Sequence, residues 1–384
     1  MTRPWPADLP AMHVLSLMSG TSVDGTDGVL ARFEQVGGAL HWEVLDRTTL
    51  DFDPELRRRL LRAIEPGGAD AVELTQLHAE VGEAYADLCA DVAARHRVDL
   101  VGLSGQTVHH IPRLEPERGW RAISTLQVGE PSRVLERLRV PVVSDFRQSD
   151  LAAGGQGAPM VPFGDLKLFG APGVARAVQN LGGIGNVTWL PADGDPDRVL
   201  AFDTGPANCL IDEAVAATTG ATFDDGGRLA AAGRVDEALL ARLLDHPYLR
   251  LPPPKTTGRE VFALREMLPE GPGGWRPEDL VATLTAYTAH TVADAYRTWV
   301  APHGLDEVLL AGGGALNPTL VATLRAALPD VPVRTFEDLG WRSKDRETLS
   351  FGVMAYAAWH GLPNTLPSAT GARRAVVAGR VLRP

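Results

Sequence analysis

An apolar run that leads directly into a glycine-rich turn occurs near the start of each half of the chain. In the first half, His13–Met18 is predicted to form a strand that leads into the turn Ser19–Asp27. In the second half, Ala175–Leu181 is predicted to form a strand that leads into the turn Gly182–Asn186. Further strand and helix patterns follow each opening. The sequence therefore predicts a duplicated α/β fold with one phosphate-binding loop in each half.

The chain has 384 residues, which exceeds what one hydrophobic core usually serves, so two domains are expected. We predict a first domain over residues 1–155 and a second domain over residues 156–359. From about Leu362 onward the sequence has the pattern of a loose tail. Segment 360–384 is also a candidate to complete the first domain.

The charge balance limits the partners of the chain. Lys and Arg number 37 against 48 Asp and Glu, which gives a net charge of −11. An acidic chain without a basic run is a poor candidate for binding nucleic acid or an anionic membrane. A phosphorylated ligand must then be held by backbone N–H groups and a metal ion. We expect a small-molecule substrate.

The cellular location is predicted from what the sequence lacks. Met1–Ala11 has no apolar core of a signal peptide, and no later apolar run is long enough to span a bilayer. These observations predict a cytoplasmic protein. Cys89 and Cys209 lie in apolar stretches without a metal-ligand partner, which favours buried free thiols.

The first glycine-rich turn has the composition of a phosphate loop. Glycines permit close backbone approach, exposed N–H groups cradle phosphate oxygens, and Asp side chains can hold Mg²⁺. A plain β-hairpin turn is the alternative, but a simple hairpin needs only two turn residues. No Lys follows the glycines, so the turn is not a Walker loop. The candidate phosphate-binding residues are Gly20, Thr21, Ser22, Val23, Asp24, Gly25, Thr26 and Asp27.

The second half contributes a matching set of candidates. Gly182, Gly183 and Asn186 are predicted to bind phosphate from a second loop. Asp203 ends a predicted strand before Gly205, a frequent position for a metal ligand, so we assign Asp24 and Asp203 as candidate Mg²⁺ ligands. A helix N-cap region is nearly as good an interpretation of Asp203.

Three consecutive glycines between a predicted strand and helix indicate a backbone surface on which a flat ring can lie. Gly312, Gly313, Gly314 and Asn317 are therefore candidates for binding adenosine. The alternative is an ordinary strand-to-helix connection in which Asn317 caps the following helix.

The run from Asp145 to Pro159 is the richest in chemistry. Phosphorylation of a sugar needs a carboxylate base beside the attacking oxygen, and Asp150 is the preferred candidate at the predicted end of a strand. Arg147 is a candidate to orient a substrate, whereas a structural carboxylate is the favoured interpretation of Asp145. The predicted substrate-binding residues are Gln106, Thr107, Asp145, Arg147 and Gly157.

Taken in order, these motifs resemble the anhydro-N-acetylmuramic acid kinases over nearly the whole chain. The resemblance implies a member of the sugar kinase/Hsp70/actin superfamily. It implies two actin/hexokinase-like (ribonuclease H-like) α/β domains that flank a central nucleotide- and sugar-binding cleft. The motifs are Ser19–Gly25, Asp145–Arg147 with Asp150, Gly154–Pro159, Asn180–Gly183, Asp203–Pro206, and Gly312–Ala315 with Asn317 and Pro318.

The resemblance also implies a reaction in peptidoglycan recycling. Water opens the internal ring of 1,6-anhydro-N-acetylmuramic acid, and the freed 6-oxygen takes the γ-phosphoryl group of ATP with Mg²⁺ present. The product is N-acetylmuramic acid 6-phosphate. One Asp of the family activates the water, and the matching position is assigned to Asp150. The run Pro252–Glu260 is similar to the family as well, which makes Lys255 and Arg259 candidates to face the cleft.

Two positions depart from the resemblance, and other functions stay open. Gly185 stands where the family often has Ala, and Ala207 where it often has Gly, which affects the expected loop shape. The alternatives are a kinase for a different sugar acceptor, a chaperone-like or actin-like ATPase, and a non-catalytic sugar sensor. A homodimer is a further expectation.

Overall fold

The computed structural model describes residues 5–20 and 22–384. Thr21, one of the predicted phosphate-binding residues, lies outside the described residues. The strands are β1 (Leu9–Met18), β2 (Gly25–Val36), β3 (Ala39–Asp51), β4 (Leu100–Leu103), β5 (Gln106–Ile111), β6 (Ser124–Val128), β7 (Val142–Ser144), β8 (Arg176–Leu181), β9 (Ile184–Leu190), β10 (Leu200–Pro206), β11 (Glu307–Ala311), β12 (Val333–Thr335) and β13 (Arg380–Leu382). The helices are α1 (Pro54–Ile64), α2 (Ala71–Ala93), α3 (Pro131–Leu138), α4 (Gln148–Ala152), α5 (Val161–Phe169), α6 (Asn208–Thr219), α7 (Arg228–Ala232), α8 (Glu237–Leu244), α9 (Leu264–Met267), α10 (Pro277–Ala295), α11 (Pro318–Ala327), α12 (Asp345–Trp359) and α13 (Pro367–Thr370).

The chain divides into two compact units whose limits differ from the predicted domains. The first unit is Met1–Phe169 with Asp345–Pro384, and the second is Gly170–Lys344. The sequence had assigned α5 and α12 to the second domain. Helix α12 packs on the first unit through Phe351 against Phe146 and Tyr356 against Phe33. The Arg346 guanidinium of α12 also forms a buried, bidentate ion pair with Asp165 of α5, at 2.8 Å from Nε and 2.5 Å from Nη2, which joins the two helices. Removing either partner of a buried ion pair strongly destabilises the folded protein, because the other charge is left buried without a partner.

The first unit is built on a mixed sheet with the strand order β13-β7-β4-β1-β2-β3. Strands β1, β2 and β3 pair antiparallel, and β4 and β7 continue the sheet parallel to β1. Helices α1 and α2 supply apolar side chains to the core on this sheet, among them Leu60, Leu77 and Val81. The Asp53 carboxylate accepts from the N–H groups of Glu55 and Leu56, so α1 begins at a well-made N-cap.

The second unit repeats the same topology. Its sheet has the order β10-β9-β8-β11-β12, in which β8, β9 and β10 pair antiparallel and β11 and β12 continue parallel to β8. Helix α10 is buried along almost its whole length, which explains its run of Ala, Thr, Leu and Val. In each sheet, therefore, three meander strands come first and two parallel strands are added beside the first strand. The predicted duplicated, actin/hexokinase-like α/β fold is confirmed.

The C-terminal segment is a packed part of the first unit, so the prediction of a loose tail after Leu362 was wrong. Asn364 is fully buried, and its amide donates to the carbonyls of Met354 and Ala378, both at 2.8 Å. Its carbonyl oxygen accepts from the N–H of Ala378. Strand β13 then pairs antiparallel with β7 at the edge of the sheet. Buried hydrogen bonds of one Asn side chain thus fix a segment that has little apolar periodicity of its own.

We expect Asn364→Ala to lower the stability of the first unit by at least about 2 kcal/mol, because two carbonyls and one N–H group would be left buried without partners. Urea unfolding measures the loss. The exposed Arg374→Ala is a matched control in the same segment and should unfold within about 0.5 kcal/mol of the wild type. Equal unfolding of Asn364→Ala and the wild type would show that the segment is not held by this side chain.

Candidate active site

The first predicted phosphate loop is shorter in the structure than the sequence indicated. Strand β2 begins at Gly25, so Gly25, Thr26 and Asp27 belong to the strand and the turn itself ends at Asp24. Gly25 has no room for a side chain, since a methyl group there would lie 2.1 Å from the Leu50 carbonyl oxygen of β3. This glycine is explained by strand packing, and the prediction that it belongs to the loop was wrong.

A chain of buried hydroxyl groups closes the neck of this turn. The Ser19 hydroxyl, before the turn, lies 2.6 Å from the Thr26 hydroxyl, after the turn. The same Ser19 oxygen lies 2.7 Å from the Tyr85 hydroxyl of α2. All three side chains are buried. The two ends of the turn are therefore tied to each other and to the helix beneath them.

The residues at the tip of the turn differ in what they offer to a ligand. Val23 is buried and has a φ of 53°, a conformation that is strained for a β-branched residue. Ser22 and Asp24 are exposed, and the Ser22 hydroxyl donates to the Asp24 carboxylate at 2.8 Å. Asp27 accepts from the Thr49 hydroxyl in the sheet. Of the two Asp residues in the motif, Asp24 is the one presented at the surface of the turn.

Gln106 connects the turn to the end of β4. The side chain is fully buried, and its Nε2 donates to the Gly20 carbonyl at 3.2 Å. Its Oε1 is buried without a hydrogen-bond partner among the described residues. Thr107 follows on β5, where its hydroxyl accepts from Gln127. Gln106 therefore supports the backbone of the turn.

The sequence had suggested that Asp150 lies at the end of a strand. In the structure its carboxylate lies in the interior of the first unit. It is within α4 and fully buried. One oxygen accepts from the Gly157 N–H at 2.8 Å, and the other from the Thr370 hydroxyl at 2.7 Å. A methyl group on Gly155 would lie 2.2 Å from it. This geometry does not support Asp150 as a base that meets a substrate.

Arg147 lies beside the same loop with most of its donors unused. Its Nη1 donates to the Gly157 carbonyl at 2.8 Å. The guanidinium makes no other hydrogen bond or ion pair in the described part of the chain. Burial lowers the pKa of this guanidinium. A guanidinium carries five N–H donors, so Arg147 can still bind an oxygen-rich ligand. Gly157 therefore binds both side chains, Asp150 through its N–H and Arg147 through its carbonyl.

Asp145 has the surroundings of a structural carboxylate with access to a cavity. It has a φ of 58°, and its carboxylate pairs with Arg380 of β13 at 3.0 Å. Burial raises the pKa of Asp145, while Arg380 and the Gln148 N–H oppose that effect. Ser104, Gln127 and Asp145 are among the residues that line a cavity of about 390 Å³.

In the second unit, the start of α6 fixes the direction of the Gly182–Gly183 turn. The Leu181 and Gly182 carbonyls accept from the Asn208 side-chain amide at 2.8 and 2.9 Å. The Gly183 carbonyl accepts from the N–H groups of Ala207 and Cys209. In a trans peptide the N–H points opposite to the C=O. The N–H groups of the three residues that follow these carbonyls, Gly182 to Ile184, therefore point away from α6, which suits an anion.

A row of polar residues crosses the sheet beside this turn. Asn180 of β8 pairs with Asn186 of β9, and Asn186 pairs with Asp203 of β10. Directly paired residues of antiparallel strands project from the same face. The row therefore places the side chains of Asn186 and Asp203, both predicted site residues, on one face of the sheet.

The surroundings of Asp203 change the pKa of its carboxyl group. Burial raises the pKa of the Asp203 carboxyl to about 6, against the opposing effects of the Thr257 N–H and the Lys255 ammonium group. The Thr257 N–H donates to Oδ2 at 2.8 Å. No hydrogen bond to Oδ1 occurs among the described residues, and the side chain is only partly buried. A carboxylate with a free oxygen and a pKa near 6 suits general-base chemistry.

The Gly312–Gly314 segment packs against the end of β8. Methyl groups on Gly312 and Gly314 would lie 2.4 Å from Asn180 Oδ1 and 2.7 Å from Leu181 Cβ. Gly313 is exposed and has open space, so it alone offers a bare backbone surface. Asn317 accepts from the Leu320 N–H and caps α11, as one interpretation of the sequence predicted. Assignment of this segment to adenosine stays a prediction.

Sequence reasoning missed Gly227, which lies beside the same cap. A methyl group on Gly227 would lie 2.1 Å from Asn317 Oδ1, and its carbonyl accepts from the Thr319 hydroxyl. The signal was the Gly226–Gly227 pair after two Asp residues. Thr257 was also missed, although it lies in the run from Pro252 that resembles the family.

A cluster of metal-binding side chains and a membrane-spanning helix are both absent from residues 5–20 and 22–384. In that part of the chain no three His, Cys, Asp or Glu side chains gather as a metal site. None of the described helices is both long and apolar enough to cross a lipid bilayer. Asp24 and Asp203 therefore stay single candidate ligands, each in its own unit.

The repeated meander-plus-parallel sheets, each with a glycine-rich turn after its first strand, define a protein of the actin/hexokinase-like fold class. Residues 12–384 match the model of the family described as anhydro-N-acetylmuramic acid kinase. The chain belongs to the anhydro-N-acetylmuramic acid kinase family, as its motifs predicted.

Individual relatives agree with the family model. The chain is 38% identical to an anhydro-N-acetylmuramic acid kinase of Caldanaerobacter subterraneus subsp. tengcongensis, over 96% of both chains. It is 43% identical to that of Salinibacter ruber, over 94% of this chain and 93% of the relative. Among solved structures, the activator of the 2-hydroxyisocaproyl-CoA dehydratase from Clostridium difficile with bound ADPNP has a TM-score of 0.43 and 13% identity, over 90% of this chain and 94% of the other.

We expect Gly25→Ala to destabilise the first unit by about 1–3 kcal/mol, because the added methyl group meets a backbone oxygen that cannot move alone. Gly20→Ala is the matched control, since among the described residues its methyl group would have only the Ser22 hydroxyl within 4 Å, at 3.7 Å. Thermal unfolding of both variants checks the difference. Equal destabilisation by the two substitutions would contradict the assignment of Gly25 to strand packing.

Proposed function

We propose that this chain opens 1,6-anhydro-N-acetylmuramic acid with water and phosphorylates its 6-oxygen from ATP. The product is N-acetylmuramic acid 6-phosphate, and the reaction belongs to peptidoglycan recycling and amino-sugar catabolism. The observation that carries the proposal is Asp203, a half-buried carboxylate with one free oxygen in a chain of this kinase family. A cytoplasmic location and a homodimer stay predictions from the sequence.

The proposed general base is Asp203 and not Asp150. A base must reach the attacking water with an oxygen that is not already hydrogen-bonded. Both oxygens of Asp150 accept hydrogen bonds in the interior, whereas Asp203 uses one oxygen for the Thr257 N–H. A pKa of about 6 leaves Asp203 ionised at neutral pH and still basic enough to take a proton.

In the proposed reaction, the Asp203 carboxylate takes a proton from water as the water oxygen bonds to C1 of the sugar. The C1–O6 bond breaks, and O6 keeps that electron pair. O6 then bonds to the γ-phosphorus, and the bond between this phosphorus and the bridging oxygen breaks. ADP leaves with the electrons of that bond.

Each unit has a turn that suits phosphate groups. The outward N–H groups of Gly182 to Ile184 are donors that need no cationic side chain. In the other unit, the tied turn presents Ser22 and Asp24 at its surface. Mg²⁺ usually binds through one or two carboxylates together with substrate phosphates, so the exposed Asp24 fits as a candidate ligand in its own unit, whereas Asp203 is assigned here to the base and not to Mg²⁺. When bound, Mg²⁺ would neutralise phosphate charge.

Asp203→Asn should lower kcat by about 10²–10⁴-fold, because the amide cannot accept the proton of water. The assay supplies ATP, Mg²⁺ and 1,6-anhydro-N-acetylmuramic acid and measures ADP release and product mass. A wild-type product heavier by one phosphate group and one water supports the ring-opening reaction. Phosphate addition without water, or activity on non-anhydro sugars alone, would contradict it and favour a kinase for a different sugar.

Asp150→Asn distinguishes the two carboxylates in the same assay. We expect this variant to lose about 1–3 kcal/mol of stability, because one buried donor loses its acceptor. Its folded fraction should keep most of the wild-type kcat. If Asp150→Asn were stable and inactive while Asp203→Asn stayed active, the assignment of the base would be reversed.

The pH dependence gives a second test of Asp203. Its pKa is raised to about 6, so the basic form is lost as the pH falls through 6. At saturating ATP, kcat/KM for the sugar should fall about tenfold per pH unit below that value. Burial also raises the pKa of Asp212 to about 6, so Asp212→Asn is the matched control and should keep the same acid limb. A flat profile down to about pH 5 would exclude Asp203 as the base.

A further inference from the structure

We propose that Arg259 is a further catalytic residue, whose guanidinium binds the phosphoryl group as it moves from the nucleotide to the acceptor oxygen. The inference rests on the proposed kinase function and names a residue that the phosphate loops did not include. It does not depend on which sugar is the acceptor.

The first observation is the contact between Arg259 and the second glycine-rich turn. A methyl group on Gly183 would lie 2.7 Å from Arg259 Nη2 and 2.8 Å from Nε. The guanidinium therefore lies against the bare backbone face of Gly183. The missing side chain at Gly183 is what leaves room for it.

The second observation is that the guanidinium is available. Arg259 is exposed, and among the described residues it has no hydrogen bond or ion pair. Asp212 of α6 is near enough for Arg259 to lower its pKa, against the larger effect of burial, yet the two do not form an ion pair. Five N–H donors on a full positive charge therefore remain for a ligand.

Lys255, the other cation of the same run, is not available in this way. Its ammonium group is buried and donates to the carbonyls of Leu249 at 3.1 Å and Tyr248 at 3.4 Å. It also lies 4.8 Å from the centre of the Tyr248 ring. The sequence had left Lys255 and Arg259 as equal candidates. The structure uses Lys255 internally and leaves Arg259 for a ligand.

The position of Arg259 is coupled to that of the proposed base. The Asp203 N–H donates to the Lys255 carbonyl at 3.0 Å, and the Thr257 N–H donates to the Asp203 carboxylate at 2.8 Å. Residues 255–257 thus run along Asp203, and Arg259 follows two residues later. One short segment therefore fixes both the carboxylate and the start of the guanidinium side chain.

These contacts assemble donors that suit a phosphoryl group in transfer. Outward N–H groups and an unpaired guanidinium meet at the same glycine turn. As the new bond from O6 to phosphorus forms and the bond to the bridging oxygen of ADP breaks, negative charge is spread over the three equatorial phosphoryl oxygens. A fixed guanidinium stabilises that charge more than it stabilises the bound nucleotide alone.

The test compares Arg259→Ala and Arg259→Lys with the wild type, in the full chain. Arg259→Ala should lower kcat by about 10²–10³-fold, and Arg259→Lys should recover part of the loss because it restores the charge without the planar donor fork. Titration calorimetry with ADP should give the same affinity for Arg259→Ala and wild type within about twofold. Arg265→Ala, an exposed arginine six positions on, is the matched control and should keep wild-type kcat.

Three results would overturn the proposal. An unchanged kcat in Arg259→Ala would make Arg259 a solvated surface residue. A large and equal weakening of ADP and of a non-hydrolysable ATP analogue would assign its contact to phosphates that are not transferred. A loss of kcat in Arg259→Ala together with a lower unfolding temperature than Arg265→Ala would assign it a structural role. If the wild type phosphorylates another sugar instead, the proposed acceptor fails while the Arg259 comparison can still be made.

Discussion

The direction of the peptide groups in the Gly182–Gly183 turn depends on hydrogen bonds between their carbonyls and the start of α6. Three successive carbonyls, of Leu181, Gly182 and Gly183, accept from the first residues of that helix. Because a trans peptide points its N–H opposite to its C=O, the same hydrogen bonds turn the following N–H groups outward. The Asn208 side chain and the first N–H groups of α6 are used by this contact. The net charge of the chain is −11, so a basic surface is not expected to attract an anionic ligand. Backbone N–H groups and single arginines such as Arg147 and Arg259 are the donors that remain.

The two carboxylates, Asp150 and Asp203, show how surroundings decide chemistry. Asp150 follows the largely polar run Asp145–Ser149 and Asp203 follows the apolar run Val199–Phe202, but both come a few residues before glycines, so both were candidates from the sequence. Asp150 is enclosed by the Gly157 N–H and the Thr370 hydroxyl, the latter from the far C-terminal segment. Asp203 keeps one oxygen free, and burial raises its pKa to about 6. A contact across 220 positions of sequence therefore occupies one oxygen of Asp150, and for this reason the base is proposed to be Asp203.

The first unit depends on the return of the chain after the second unit. The ion pair between Arg346 and Asp165 and the hydrogen bonds of Asn364 join segments that are distant in sequence. Strand β13 completes the sheet edge, and its Arg380 pairs with Asp145. The surroundings of two predicted site residues, Asp145 and Asp150, are thus completed by residues that looked like a tail.

The sequence by itself determined the duplicated topology, the family, the glycine-rich turns and the Asn317 cap, because periodicity and turn chemistry are local properties. It could not decide the domain limits, the role of Gly25 or the state of Asp150, because these depend on β3, α12 and the C-terminal segment. It also could not separate Lys255 from Arg259. In the tertiary structure Lys255 donates to backbone carbonyls, whereas the Arg259 guanidinium lies against Gly183. Burial and the distances to partners depend on packing, and the spacing of residues in the sequence does not determine them.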